Sequence, residues 1–348
     1  MEKSINPFSA RNRLLFAGLA FLLAFFFFLD IMLGSVLYPV AEVLQTLFSP
    51  EGSDPTLSTI LFDFRIPKAI TAILAGVALS VSGLQMQTVF RNPLAGPYVL
   101  GISSGASLAV ALFAMGFPGL VAGSLAWTGT WTVAFVAWMG SFLVMLLVLA
   151  VSARVNDNMT LLILGMLFSS GVGALVTILQ YYSNESVLKS FIVWTMGSLG
   201  SITGTQLLVV APAVIAGVLL SFVKIKDLNA FLLGETYARS LGVRINRSRL
   251  VIFAGASLLA GTITAFCGPI GFIGIAAPHL ARVLFRSSNH LILVPASLLV
   301  GADVMLVSDM LSQLPGLNST LPINSVTALL GIPVVIWMIV RNRKFASL

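Results

Sequence analysis

Six stretches of this chain, residues 69–90, 92–153, 158–184, 190–223, 250–281 and 310–340, contain no Asp, Glu, Lys or Arg. No other feature constrains the fold as strongly. A helix that crosses a bilayer needs roughly 20 mainly apolar residues, and each stretch supplies that many. The run 92–153 is too long for one crossing and holds Gly116-Phe117-Pro118-Gly119 near its middle, which reads as a tight turn between two helices. With 58% hydrophobic and 9% charged residues, too little polar surface exists to cover a water-soluble globule of 348 residues. The apolar runs are continuous, whereas the strands of a barrel would alternate over segments of roughly ten residues. Helices also satisfy their backbone groups within each segment. The expected fold is an all-α integral membrane protein, one transmembrane domain over 1–348. Its ten helices are expected near 14–34, 66–90, 94–115, 127–152, 159–182, 203–223, 249–267, 269–286, 292–312 and 322–340.

Ten crossings put both termini on one side, and charge selects that side. The loops and ends on the terminus side carry sixteen Lys and Arg residues; the opposite side carries only Arg65, Lys68 and Lys189. Basic loops stay in the cytoplasm, so both termini are expected there. The net charge of +7 is accounted for by this asymmetry, and nucleic-acid binding is not needed to explain it. Leu14–Leu29 after Arg11 and Arg13 resembles a secretion signal but lacks a convincing small-residue cleavage site, so it is expected to remain as the first helix. The single cysteine, Cys267, excludes an intrachain disulfide.

The longest polar segments are an outer loop near 35–64 and an inner loop at 224–248. In the inner loop Leu228, Phe231, Leu232, Ala238 and Leu241 recur at helical spacing. Glu235 and Arg239 stand four apart as an expected pair, Gly234 suggests a bend between two short helices, and Gly242 suits a helix C-terminus. Such an amphipathic pair lies either on the lipid surface or in a groove of a cytoplasmic partner. No G-x-x-x-x-G-K-[ST] phosphate loop occurs in the chain, so nucleotide hydrolysis would need another subunit.

Further motifs run along the chain in order: Arg65-Ile66-Pro67; Gly83 and Gln87 before Arg91-Asn92-Pro93-Leu94-Ala95; Leu100-Gly101; Met196-Gly197-Ser198-Leu199; Gly268-Pro269-Ile270-Gly271-Phe272-Ile273-Gly274; Pro278-His279; Asp309; and Leu321-Pro322-Ile323 through to Gly331 and Pro333. With Leu228-Asn229, Gly234-Glu235 and Ala238-Arg239-Ser240-Leu241-Gly242, this pattern resembles the FecCD family. Its members are permeases of type II ABC importers for ferric siderophores, haem and cobalamin. The resemblance implies a type II ABC importer permease fold in the bacterial inner membrane. The glycine-proline segment near 268–278 mirrors the Asn92–Gly101 junction, so spans two to five and seven to ten are expected to form inverted repeats. The resemblance further implies a second permease copy, most simply in a homodimer, two ATP-binding subunits that use ATP and Mg, and an extracytoplasmic substrate-binding protein. No cofactor is expected on this chain itself.

The resemblance also distributes roles. Leu228, Asn229, Gly234, Glu235, Arg239, Ser240, Leu241 and Gly242 would couple to the ATPase. Asn92, Pro93 and Leu94, with Asp157, Asn158, Met159 and Thr160, would form the cytoplasmic gate. Arg65 and Lys68 would meet acidic residues of the binding protein, although they could equally snorkel or neutralise Asp63; a third basic position of some relatives aligns with Gln313. Met166, Ser169, Ser170, Gln180, Asn324, Ser325 and Thr327 would line a weakly polar pathway. Gly101, Gly105, Gly268, Gly271 and Gly274 are expected at close helix contacts. Asp303, Asp309 and His279 are ionisable groups within the apolar region, where each is costly. An ion-coupled secondary transporter would place carboxylates near the midplane, for which Asp303 alone speaks. An intramembrane enzyme would need clustered catalytic groups, and the sequence offers none.

Overall fold

The computed structural model describes residues 9–34, 36, 38–49, 54–116, 130–152, 154–155, 158–313 and 320–341. The helices are α1 (Ala10–Met32), α2 (Val40–Phe48), α3 (Pro55–Val89), α4 (Ile102–Gly116), α5 (Thr130–Ser152), α6 (Asn158–Tyr181), α7 (Glu185–Thr195), α8 (Gly204–Val223), α9 (Ile225–Phe231), α10 (Glu235–Ser240), α11 (Ile245–Cys267), α12 (Ile273–Phe285), α13 (His290–Ser312) and α14 (Ile323–Arg341). Eight of them are long and apolar enough to cross a bilayer, and the shorter apolar α4 and α12 stand where the remaining two crossings are expected. The short outer helices α2 and α7 lie in segments that hydropathy had left as loops.

The second span departs from expectation at its outer end. Arg65-Ile66-Pro67 opens the regular α-helical part, Ile66–Val89, as expected, but the helix does not begin there: α3 already starts at Pro55 and runs through a π-helical stretch at Ile60–Arg65. The Ile66 N–H bonds to the Leu61 carbonyl, five residues back, the wide turn that defines this geometry. Pro67 follows at once, where a residue without an N–H would leave a gap in an ordinary ladder.

Helix α3 is the axis of the molecule: 83% of its most apolar window is buried, against 17–28% for α1, α6, α8 and α14. Its neighbours are α13, α12, α11 and α8. They approach so closely because glycine faces glycine. A Cβ on Gly76 would lie 2.2 Å from the Gly301 carbonyl oxygen, and one on Gly83 would lie 1.8 Å from that of Gly274. Small residues let membrane helices pack backbone to backbone. Gly105 follows the same logic against Gly140. Gly101 and Gly268 differ: both have positive φ, 77° and 75°, so turn geometry as well as packing fixes glycine there. Helix lengths run long, short, long, long from α3 to α6 and again from α11 to α14, and the short member of each set begins just after a residue with positive φ, Gly101 or Phe272. That order agrees with an internal repeat.

Candidate coupling and gating site

The inner loop folds as the two short helices expected of it. Gly234 breaks them apart at φ 96°, ψ 156°, a region that is nearly exclusive to glycine. Gly242, φ 84°, ends α10, with its N–H on the Arg239 carbonyl and the Val243 N–H on that of Ala238. The uncovered face matches the expected one only in part. Leu228, Phe231 and Ala238 are buried by the chain itself, whereas Leu232 and Leu241 are exposed as expected, and Leu233 and Tyr237 join them; Leu233, Tyr237 and Leu241, spaced by four, are 54–61% exposed. The Glu235–Arg239 pair does not form either. Glu235 instead reaches Arg249 of α11, whose guanidinium is buried and also donates to the Val155 carbonyl.

Two further side chains fasten the pair. Asp227 Oδ2 accepts from Lys224 Nζ and Ser248 Oγ, each at 2.7 Å. Burial alone would raise the Asp227 pKa, but these two bonds and the Lys224 charge outweigh it and hold the carboxyl below its usual range. Asn229 Oδ1 accepts from the His290 backbone N–H at 2.8 Å and lies 2.8 Å from its Nδ1, and Asn229 Nδ2 donates to Asn289 Oδ1. His290 Nε2 in turn lies 2.8 Å from Thr88 Oγ1, near the end of α3.

Those ties lead to the two inner junctions read as gates. After α3 the chain turns at Asn92, whose side-chain oxygen accepts from the Leu94 N–H at 2.9 Å while its carbonyl accepts from Ala95, a local turn that such side chains favour. Pro93 and Leu94 sit on it, Leu94 42% exposed. At the second junction Val155 is held by Arg249; Met159 and Thr160 are exposed at the start of α6, and the Asn158 side chain and Asp157 lie outside the described residues. The coupling and gate candidates thus share one end of the bundle, joined by Asn229–His290–Thr88 and by Glu235–Arg249–Val155. Arg249, His290, Ser248 and Thr88 were not read as site residues from the sequence.

At the opposite end Arg65 and Lys68 face a cavity of about 600 Å³ between the outer ends of α3, α13 and α14. Arg65 is buried, with Nη1 donating to the carbonyls of Ile31 and Met32 and Nη2 to that of Val36. It is spent inside the chain. Lys68 pairs with the buried Asp309 at 3.0 Å, and not with Asp63. Gln313, in place of a third basic residue, also donates to Asp309, at 2.9 Å.

The pathway candidates divide. Met166 and Ser170 on α6 and Ser325 on α14 are exposed, and Ser169 and Gln180 are half-buried. Thr327 is not: it is fully buried and its hydroxyl donates to the Asn324 carbonyl. Asn324 Oδ1 accepts from the Gly271 N–H at 2.9 Å, tying α14 to the glycine-rich turn. Asp303 is buried with both carboxyl oxygens unpartnered. Among the described residues no group of three or more His, Cys, Asp or Glu side chains could hold a metal ion.

Comparison with known proteins gives a consistent result. Residues 22–341 match the model of the FecCD transport family. The chain is 34% identical over 307 residues to the hemin transport system permease protein HmuU of Yersinia pestis, covering 87% of this chain and 89% of that one. It is 35% identical over 289 residues to the vitamin B12 import system permease protein BtuC of Vibrio cholerae, covering 81% and 83%. Among solved structures, an inward-facing metal-chelate type ABC transporter superposes with a TM-score of 0.81 at 29% identity, over 94% of this chain and 99% of that one.

Proposed function

Because the chain belongs to the FecCD transport family and is a multi-pass permease of a type II ABC importer, a transport subunit and not an enzyme, we propose that it passes a bulky metal chelate from an extracytoplasmic binding protein into the cytoplasm. A ferric siderophore is the first cargo to test, with haem and cobalamin as the other classes. Two relatives are named for hemin and vitamin B12, and the superposed structure for a metal chelate. All three are metal complexes too large for an ion channel of carbonyls or carboxylates. In this reading two ATPase subunits using ATP and Mg lie below a pair of permease copies in the inner membrane, with both termini cytoplasmic.

The observation that carries the reading is the α9–α10 pair. Its outer face leaves Leu233, Tyr237 and Leu241 uncovered, which suits a groove on a partner. Its inner face is tied through Asn229 and Glu235 toward both junctions read as gates. A movement of the pair by the ATPase therefore has a polar route to each junction. Both basic groups at the outer cavity are engaged within the chain, Arg65 by three carbonyls and Lys68 by Asp309; of the two, Lys68 holds the ion pair that a carboxylate of a docking partner could exchange into.

Reconstitution of the chain with its ATPase and binding protein in liposomes tests this. ATP-dependent uptake of a ferric siderophore, haem or cobalamin is the expected result. Proton-driven uptake by this chain alone, the outcome that the unpartnered Asp303 would favour, would replace the proposal with an ion-coupled transporter.

A further inference from the structure

A second cavity, of about 430 Å³, opens at the inner end of the bundle where α3, α12 and α14 finish. Arg91, His279 and Arg282 line it, Leu232, Val283 and Met338 supply apolar surface, and among the described residues no Asp or Glu contributes to its wall. The guanidinium of Arg282 is aimed by its neighbours. One of its nitrogens donates to Gln87 Oε1, and the Gln87 amide is itself fixed by donating to the carbonyl of Ile275 at 3.2 Å and that of Gly274 at 3.5 Å. The other donors of Arg282 have no partner among the described residues. The Arg91 side chain, at a left-handed residue with φ 48°, makes no described hydrogen bond. His279 has its ring 6.3 Å from that of Trp337, inclined at 72° to it, and makes no hydrogen bond among the described residues.

Three nitrogen donors face one small space with no carboxylate among the described residues to offset them; Arg91 is exposed and His279 and Arg282 are half-buried, so an anion can reach them from the surface. Guanidinium forks match the geometry of phosphate oxygens. Basic pockets between membrane helices at the cytoplasmic side are suited to anionic head groups, and the apolar wall here would receive the glycerol end of one. We propose that Arg91, His279 and Arg282 form a binding site for a phosphate group, presented by an anionic phospholipid of the adjacent leaflet or by free phosphate. The site does not depend on which chelate is carried. It touches Pro93 of the first inner junction and Leu232 between α9 and α10, so its occupant would stiffen the link between coupling segment and gate.

Trp337 supplies the readout. The detergent-purified full chain is titrated with short-chain phosphatidylglycerol, with short-chain phosphatidylcholine and with inorganic phosphate, following tryptophan emission, with Trp337→Phe to identify the responding ring. Arg91→Gln/His279→Gln is the test variant, because neither side chain holds a hydrogen bond of the fold; Arg247→Gln, an exposed residue outside the cavity, is the control. Phosphatidylglycerol should give a saturable Trp337 signal that the double variant weakens by about tenfold or more, the loss of one to two charge-assisted bonds, and that the control leaves alone. The same dependence with inorganic phosphate but not with the lipid would assign the site to free phosphate. Phosphatidylcholine, whose phosphodiester is offset by its choline, should bind more weakly; no saturable Trp337 signal with any of the three, or one that the double variant does not alter while its thermal midpoint is unchanged, overturns the proposal without touching the transport assignment.

Discussion

Arg249 and Glu235 set the residue scale. The guanidinium is buried and its carboxylate partner is only partly exposed, so removing the acid strands a buried charge. Glu235→Ala is expected to cost about 3–5 kcal/mol, toward the low end because water reaches the carboxylate, and to lower the thermal midpoint of the purified complex; an unchanged midpoint would show that the pair does not hold α10 in place. Asp227 gives a pH dependence. Its folded-state pKa lies below the reference value of 3.8, so its contribution is present above that pH and fades as pH falls through the lower folded value. The stability gap between wild type and Asp227→Asn should accordingly be flat from pH 8 to 5 and close only below about 3.8; a gap closing near neutrality would assign the effect to another group. These roles were poorly legible in the sequence. Arg249 reads there as one more cytoplasmic charge, since burial and a partner fourteen positions away leave no periodic mark. Arg65 misled for the converse reason: it stands where basic residues are rare, yet the carbonyls that hold it, at the end of α1 and just after it, are backbone acceptors that side-chain patterns do not mark.

At the scale of elements, the apolar runs located the eight helices long enough to cross a bilayer and the two shorter apolar ones, because the bilayer imposes a length that sequence must obey. What hydropathy could not convey was register. The π-helical turn in α3 has the same composition as an α-helical one, and which face of α9–α10 stays uncovered depends on how far the pair rotates against α11 and α13. The revised face predicts that Leu241→Asp and Tyr237→Asp abolish co-purification with the ATPase while the permease itself folds normally; retention of the ATPase by both would move the docking surface elsewhere. Gly234→Ala should instead act within the chain, by roughly 1–3 kcal/mol of backbone strain, visible as faster proteolysis of the 224–248 segment. Where glycine faces glycine, Gly76→Ala is expected to cost about 1–3 kcal/mol through overpacking against the Gly301 carbonyl, read as a lower unfolding midpoint.

For the whole molecule, the poorly covered helices α1, α6, α8 and α14 leave α6 and α14 free to face a second copy across a pathway. Cysteines placed at Ser170 and Ser325 of the assembled complex should react with water-soluble thiol reagents, whereas Thr327→Cys should not, since its side chain is enclosed by its own chain; equal reactivity at all three would break the pathway assignment. The binding-protein end has its own test. Lys68→Glu should weaken association in a salt-dependent manner, and affinity unchanged at low salt would remove Lys68 from docking. The π-helical stretch bears on the same end in a different way. It accommodates one residue more than α-helical winding requires. Excising a single residue between Ile60 and Phe64 would let α3 wind uniformly while Pro55–Thr59 keeps its present facing, whereas the same deletion within the α-helical part would turn everything before it by roughly 100° about the helix axis. The outer rim is in this sense buffered against one change of chain length: substitutions there would trim its contacts, while removal of the extra residue would leave the rim oriented as it is.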